Sequence, residues 1–131
     1  MGAVFLMDGK EYKLEVGELE RSFAVTDTEQ SGRTADYSMH RDIIGTFYNY
    51  TMKIYPDISN LNSYDEFYDA VTDPNYESHE MTFPYNQETL TFRAYVSQGK
   101  DKLMSRKGRN IWALKDGLSL TFTAVEPQRR R

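Results

Sequence analysis

Cysteine is absent from this chain, which excludes disulfides, thiolate metal sites and cysteine nucleophiles together. Whatever fold forms is indifferent to redox conditions. Histidine is nearly absent too: His40 and His79 lie 39 positions apart. Zinc sites ordinarily draw three or four ligands from the protein, and Glu77-x-His79-Glu80 offers at most two on one strand face. The expectation is therefore no metal and no organic cofactor. His40-Arg41-Asp42 holds residue types used in hydrolases, but adjacent strand residues point to opposite faces and cannot converge as a triad. No glycine-rich loop precedes a helix to cradle a phosphate. With nothing to pair its many carboxylates as acid and base, the sequence reads as a non-enzyme. Long apolar runs are missing as well. No stretch approaches the ~18 residues that cross a bilayer, and Met1–Met7 lacks the basic and apolar regions of a signal peptide. The expectation is a protein made and assembled in the cytoplasm, without membrane contact.

What the chain has in excess is aromatic residues. Ten Tyr, seven Phe and one Trp make up 14% of 131 residues, a length expected of a single domain, 1–131. Aromatic and β-branched residues suit a pleated, half-buried surface. Two Asp-Gly pairs then punctuate the chain. Val4–Met7, Asp8-Gly9 and Lys10–Val16 read as a hairpin, since Asp and Gly tolerate the positive φ of a type I′ turn. Ile111–Lys115, Asp116-Gly117 and Leu118–Val125 read as a second. Leu118, Leu120, Phe122 and Ala124 alternate with Ser119, Thr121 and Thr123, the period of a half-buried strand. Leu90, Phe92, Ala94 and Val96 repeat the pattern, and Phe92 and Phe122 are the expected core residues. Ile43–Tyr55 is a long strand with Tyr48, Tyr50, Met52 and Ile54 on one face and Gly45 marking a bulge near its start. Ser78–Tyr85 is a further strand, placed at an edge by Pro84.

One helix interrupts the strands. Tyr64, Phe67, Tyr68 and Val71 fall at i, i+3, i+4 and i+7, with Asn62 or Ser63 as cap and Asp65 and Glu66 in the first turn. Asp73-Pro74 ends it. Residues 25–38 carry no periodicity and read as a long polar loop, 98–109 as a basic loop, and 128–131 as a frayed basic tail. The predicted fold class is α+β with mainly antiparallel strands, a β-sandwich or partly closed barrel with one helix packed against it.

The net charge of −4 conceals an asymmetry. Residues 1–97 hold 7 Lys/Arg and 17 Asp/Glu, whereas residues 98–131 hold 9 and 3. Most of the positive charge sits in Lys100–Arg109 and the final arginines. Such a segment meets phosphates, an acidic surface of a neighbouring subunit, or only solvent. The acidity of the whole chain, and the lack of an aromatic residue within the segment, argue against nucleic acid. The candidate subunit contacts are Lys100, Lys102, Arg106, Lys107 and Arg109, with Arg33 in the polar loop.

The order of segments resembles a family, the small tail-region structural proteins of phages and prophages of Gram-positive bacteria. The resemblance runs through DGKEYKLEV and LERSF, HRDIIGTFYNYTMKI, YDEFYDAVTDP, SHEMTFPY, LTFRAYVS and the closing GLSLTFTAVEPQR. It implies a β-sandwich like those of tail-tube and tail-hub domains, subunits that form rings or other oligomers, docking to other virion proteins, and a place in the virion tail. It carries no catalytic residues. Two rivals stand beside it: a binding module whose exposed tyrosines meet a carbohydrate or protein partner, and a small hydrolase or metal enzyme.

Overall fold

The computed structural model describes residues 4–27, 32–33, 39–40, 43–106 and 108–130. In chain order its strands are β1 (Leu6–Met7), β2 (Leu14–Asp27), β3 (Gly32–Arg33), β4 (Met39–His40) and β5 (Ile43–Pro56). After a 3-10 turn at Ile58–Asn60 and the helix α1 (Leu61–Val71) come β6 (His79–Tyr85), β7 (Glu88–Tyr95) and β8 (Leu103–Ser105). The chain ends with β9 (Ile111–Trp112), β10 (Leu118–Ala124) and β11 (Arg129–Arg130).

The spine is the antiparallel pair β2 and β5, in register from Leu14↔Pro56 to Asp27↔Ile43. Directly opposed residues share a face, so Leu14, Val16, Leu19, Arg21 and Phe23 look inward with Pro56, Ile54, Met52, Tyr50 and Tyr48. The inward spacing in β2 slips from two to three at Gly17, where a one-residue bulge restores the phase. A Cβ there would run into the Tyr55 ring. A second irregularity skips Ile44, beside the glycine expected to mark a bend. Here the assignment of 25–38 to a loop is corrected: Val25–Asp27 belong to β2, because the ladder outruns the polar composition. Gly32–Arg33 pair with Met39–His40, while 28–31, 34–38, Arg41 and Asp42 lie outside the described residues.

The main sheet runs β1-β6-β7-β10-β5-β11, with β2 also on β5. Its corner is β10, which pairs with β5 from Leu118↔Ile54 to Phe122↔Tyr50 and then with β7 at Thr123 and Ala124. Tyr50 of β5 stacks on Phe83 of β6 at 4.4 Å and 12° between planes. Two strands separate them in the sheet order, so the sheet must curl to bring the rings together. The fold is α+β and mainly antiparallel, a half-barrel curled around its aromatic residues. Phe122 is fully buried, and Phe92 is half-buried with its ring 5.9 Å from both Tyr50 and Phe83.

Helix α1 plugs one end of this half-barrel. Phe67 is fully buried and meets Phe5 and Tyr12 edge-on at 5.6 and 5.3 Å, a favoured aromatic geometry. The apolar face is as expected, but its start is not. Asp57 caps the preceding turn by accepting from the Ser59 N–H at 3.0 Å, so Asn62 and Ser63 lie within the helix and Asp65 and Glu66 beyond its first turn. Ser63 Oγ instead accepts from the Lys13 N–H at 3.2 Å.

Both hairpin assignments change. Asp8 and Gly9 do take positive φ, 55° and 77°, but only Met7↔Lys10 pair across the turn and the ladder partner of β1 is β6. In the second case β9 pairs with β8, and the chain reaches β10 through a turn closed by Gly117 N–H donating to the Ala113 carbonyl. Part of the expected basic loop is therefore strand. Asn86-Gln87, with Asn86 at φ 52°, make the two-residue connection from Tyr85 to Glu88. Pro84 lies past the reach of β1, which pairs only with Met81 and Thr82.

The expected frayed tail is a correction as well. Arg129 and Arg130 pair with Thr46 and Gly45. Where β10 leaves β5, two side chains replace the missing ladder. Asn49 Oδ1 accepts from the Ala124 N–H at 3.0 Å. Gln128 accepts from the Tyr48 N–H through Oε1 and donates to the Tyr48 carbonyl through Nε2, both at 2.8 Å. Buried backbone groups need such partners, which is why the tail is tied down.

Candidate functional site

The helix covers only one end of the inner face. Beyond Tyr50 the same face continues, uncovered by α1, through Arg21 and Phe23 on β2, Tyr48 on β5, Arg129 on β11 and Tyr85 at the tip of β6. Strand alternation puts the first three there, and the pairing of Arg129 opposite Thr46 brings in the fourth. Tyr48 and Tyr85 meet edge-on at 5.2 Å, and the Tyr85 hydroxyl donates to the Tyr48 hydroxyl at 3.2 Å. The Arg21 guanidinium lies over the Tyr85 ring at 5.4 Å and donates through Nη1 to Asn86 Oδ1 at 2.9 Å. Phe23 is 71% exposed. Arg21, Ser22, Phe23, Tyr48, Tyr85 and Asn86 surround a recess of about 320 Å³.

The electrostatics follow from these contacts. The hydrogen bond from Tyr85, then the Arg129 guanidinium, hold the Tyr48 hydroxyl below the ordinary tyrosine range. The same hydrogen bond pushes Tyr85 up. Because Tyr48 accepts from Tyr85, its own proton is directed elsewhere. Neither Arg21 nor Arg129 has a carboxylate partner among the described residues.

The sequence-derived candidates are not gathered here. Lys100 and Lys102 line a different groove of about 880 Å³ with Lys53, Ser119, Thr121 and Thr123. Its wall is the extended segment after β7, anchored where the buried Tyr64 hydroxyl donates to Asp101 Oδ2 at 2.6 Å and Ala113 N–H to the Lys102 carbonyl at 2.9 Å. Burial first, then the bond to Asp101, push the Tyr64 hydroxyl far up. Gly99 lies so close to β10 that a Cβ would sit 2.7 Å from Leu120 Cδ2. Lys102 also faces Asp116 at 3.7 Å, both well exposed. Arg109 borders a separate recess with Asn62, Asp65 and Trp112, and Arg106 is exposed. Lys107 lies outside the described residues, as does the side chain of Arg33. Lys100, Lys102, Arg106 and Arg109 thus belong to a basic arm that contains the β8–β9 pair, which also exposes Leu103 and Met104.

His79 is buried against Asp8, with Nδ1 2.8 Å from Asp8 Oδ2, while Asp8 Oδ1 accepts from the Glu80 N–H at 2.9 Å. Burial raises the Asp8 carboxyl, but the bonds to His79 and Glu80 and the charges of His79 and Arg93 outweigh it, so the net shift is downward. This pair ties the first turn to β6. No group of three or more potential ligands is assembled for a metal among the described residues, and no helix there is long and apolar enough to cross a membrane.

The mouth residues escaped sequence reasoning. The sequence groups Tyr48 with Tyr50, Met52 and Ile54 on one face of its strand, but Arg129 falls in an apparent tail and Arg21 and Phe23 beyond an apparent hairpin. The signal available was the spacing of Leu14, Val16, Leu19, Arg21 and Phe23, in phase once Gly17 is read as a bulge.

Fold and site together define a half-barrel with one end plugged by a helix and the other, among the described residues, open, aromatic and cationic. No protein-family model and no curated protein sequence matches the chain.

Proposed function

We propose that this protein is a structural subunit that works by assembly and docking, of the tail-associated virion kind that its order of segments resembles. The observation that carries the reading is β2. It is 14 residues long and pairs, among the described residues, with β5 alone, so the outer edge of its first part, Leu14–Ala24, offers backbone groups to another strand. Glu15, Glu18 and Glu20 project from its outer face. Like charges disfavour pairing of that edge with itself, whereas the basic arm of a neighbouring copy or another virion protein complements it. Exposed Leu103 and Met104 give the arm an apolar element.

Sedimentation across a range of protein and salt concentrations tests the reading. Exposed charges are screened over about 8 Å at physiological ionic strength, so oligomers held by the arm dissociate as salt rises. Replacing Lys100, Arg106 and Arg109 by Glu abolishes assembly while leaving the melting curve unchanged, since exposed charges contribute little to folding. A monomer under every condition, alone and with candidate virion partners, refutes the proposal.

A further inference from the structure

We infer that the open mouth of the half-barrel is a binding site for an oxyanion (carboxylate, phosphate or sulfate) carried on a planar or apolar body. This inference stands independently of assembly. Three observations converge on it. Arg21 and Arg129 flank the same two tyrosines and have no carboxylate partner among the described residues. A guanidinium has five N–H donors in a planar fork suited to oxyanions, and the Asn86 bond is made by one end of the Arg21 fork. That bond, with the Tyr85 ring beneath, fixes Arg21 before any ligand arrives, which lowers the cost of ordering it on binding.

The Tyr48 hydroxyl supplies the third donor. It accepts from Tyr85, leaving its proton free to point toward an acceptor, and a donor beside two cations makes charge-assisted hydrogen bonds. Phe23, 71% exposed on the same inner face, is out of place in a fold that buries its other phenylalanines more deeply. Its ring borders the recess of about 320 Å³, which is large enough for one small cyclic body. A ring stacked on Phe23 places its anionic substituent within reach of the arginines. The basic arm, by contrast, has its cations spread over separate grooves, and Lys102 faces Asp116.

Titration calorimetry with phenyl phosphate, benzoate and inorganic phosphate tests the site in the full chain. Saturable one-to-one binding is expected, with phenyl phosphate at least about ten-fold tighter than inorganic phosphate. Benzoate binding comparably to phenyl phosphate identifies the shared charge and ring as the recognised features. Benzoate failing to bind narrows the site to phosphoryl or sulfuryl groups and keeps the proposal. Arg21→Gln and Arg129→Gln each weaken binding by about ten-fold or more. Phe23→Ala removes the advantage of phenyl phosphate and leaves inorganic phosphate unchanged. Lys100→Gln with Lys102→Gln changes nothing. Linear, unsaturable heats with all three probes overturn the proposal. So does an equal loss in the arginine and lysine variants, which marks general charge attraction. Circular dichroism of each variant confirms that the fold is intact.

Discussion

The two ends of the inner face are built from the same strands and put to different use. At the plugged end, Phe67 of α1 meets Phe5 and Tyr12 in a core that also holds Ile54 and Leu118, and the inward residues of β10 and β5 there are fully or almost fully buried. At the other end, the inward positions of β2 carry Arg21 and Phe23, and among the described residues no helix lies above them. Apart from the one-residue bulge at Gly17, inward and outward residues of β2 alternate toward both ends, so the pleat does not distinguish them. The difference, among the described residues, is whether a second layer takes water away. Hydrophobic stabilisation follows area removed from water, so an aromatic ring at one end holds the fold together and at the other remains available.

That contrast is most sharply tested by truncating matched rings. Phe67→Ala empties a site with no solvent exposure and is expected to cost about 3–5 kcal/mol. Phe23→Ala is expected to change stability by no more than about 0.5 kcal/mol. Urea melts of the two variants under identical conditions decide it; similar losses would erase the distinction between plug and mouth.

A smaller effect is expected where the plugged end is fastened to the segment beyond β7. Tyr64→Phe removes the bond to Asp101, at an expected cost of about 1–2 kcal/mol. The loss should come with faster amide exchange at Lys100–Lys102, because their anchor is gone. Unchanged exchange there would mean that Gly99 packing against Leu120 holds the segment unaided.

Acid sensitivity should also concentrate at the plugged end. The folded Asp8 carboxyl lies below its ordinary value, so its stabilising contribution is fully present above the unfolded value and is lost as pH falls through the folded one. Asp8→Asn keeps a residue tolerant of φ 55° and removes the charge. The variant is therefore expected to be less stable than the parent near neutrality and to show a shallower decline on acidification. Thermal melts from neutral pH down to strongly acidic buffer measure this, and parallel curves would assign the acid limb to other carboxylates.

Much of the framework is legible in residue spacing alone. The alternation of Leu118–Ala124, Leu90–Val96 and Tyr48–Ile54 identifies three strands and the side chains that share each face, because a period of two leaves no freedom over which side chains share a side. The spacing of Tyr64, Phe67, Tyr68 and Val71 did the same for the helix. Local rules failed where a long-range partner outbid them. Asp8-Gly9 formed the turn its chemistry demands, yet β1 found its ladder on β6, and Asp116-Gly117 lost its hairpin to pairing between β8 and β9. Polar composition at Val25–Asp27 and Arg129–Arg130 suggested loop and tail, but the length of β5 offered backbone partners to both.

What the sequence determined by itself, then, is the set of pleated faces and the one amphipathic helix, since these follow from residue spacing along the chain. Only the tertiary structure decided that Arg21, Phe23, Tyr48, Tyr85 and Arg129 meet. The curl that unites them arises at β10, where the ladder passes from β5 to β7 and Asn49 and Gln128 fill the gap. No local pattern encodes that exchange, because its cause is the competition of several strands for the same backbone hydrogen bonds.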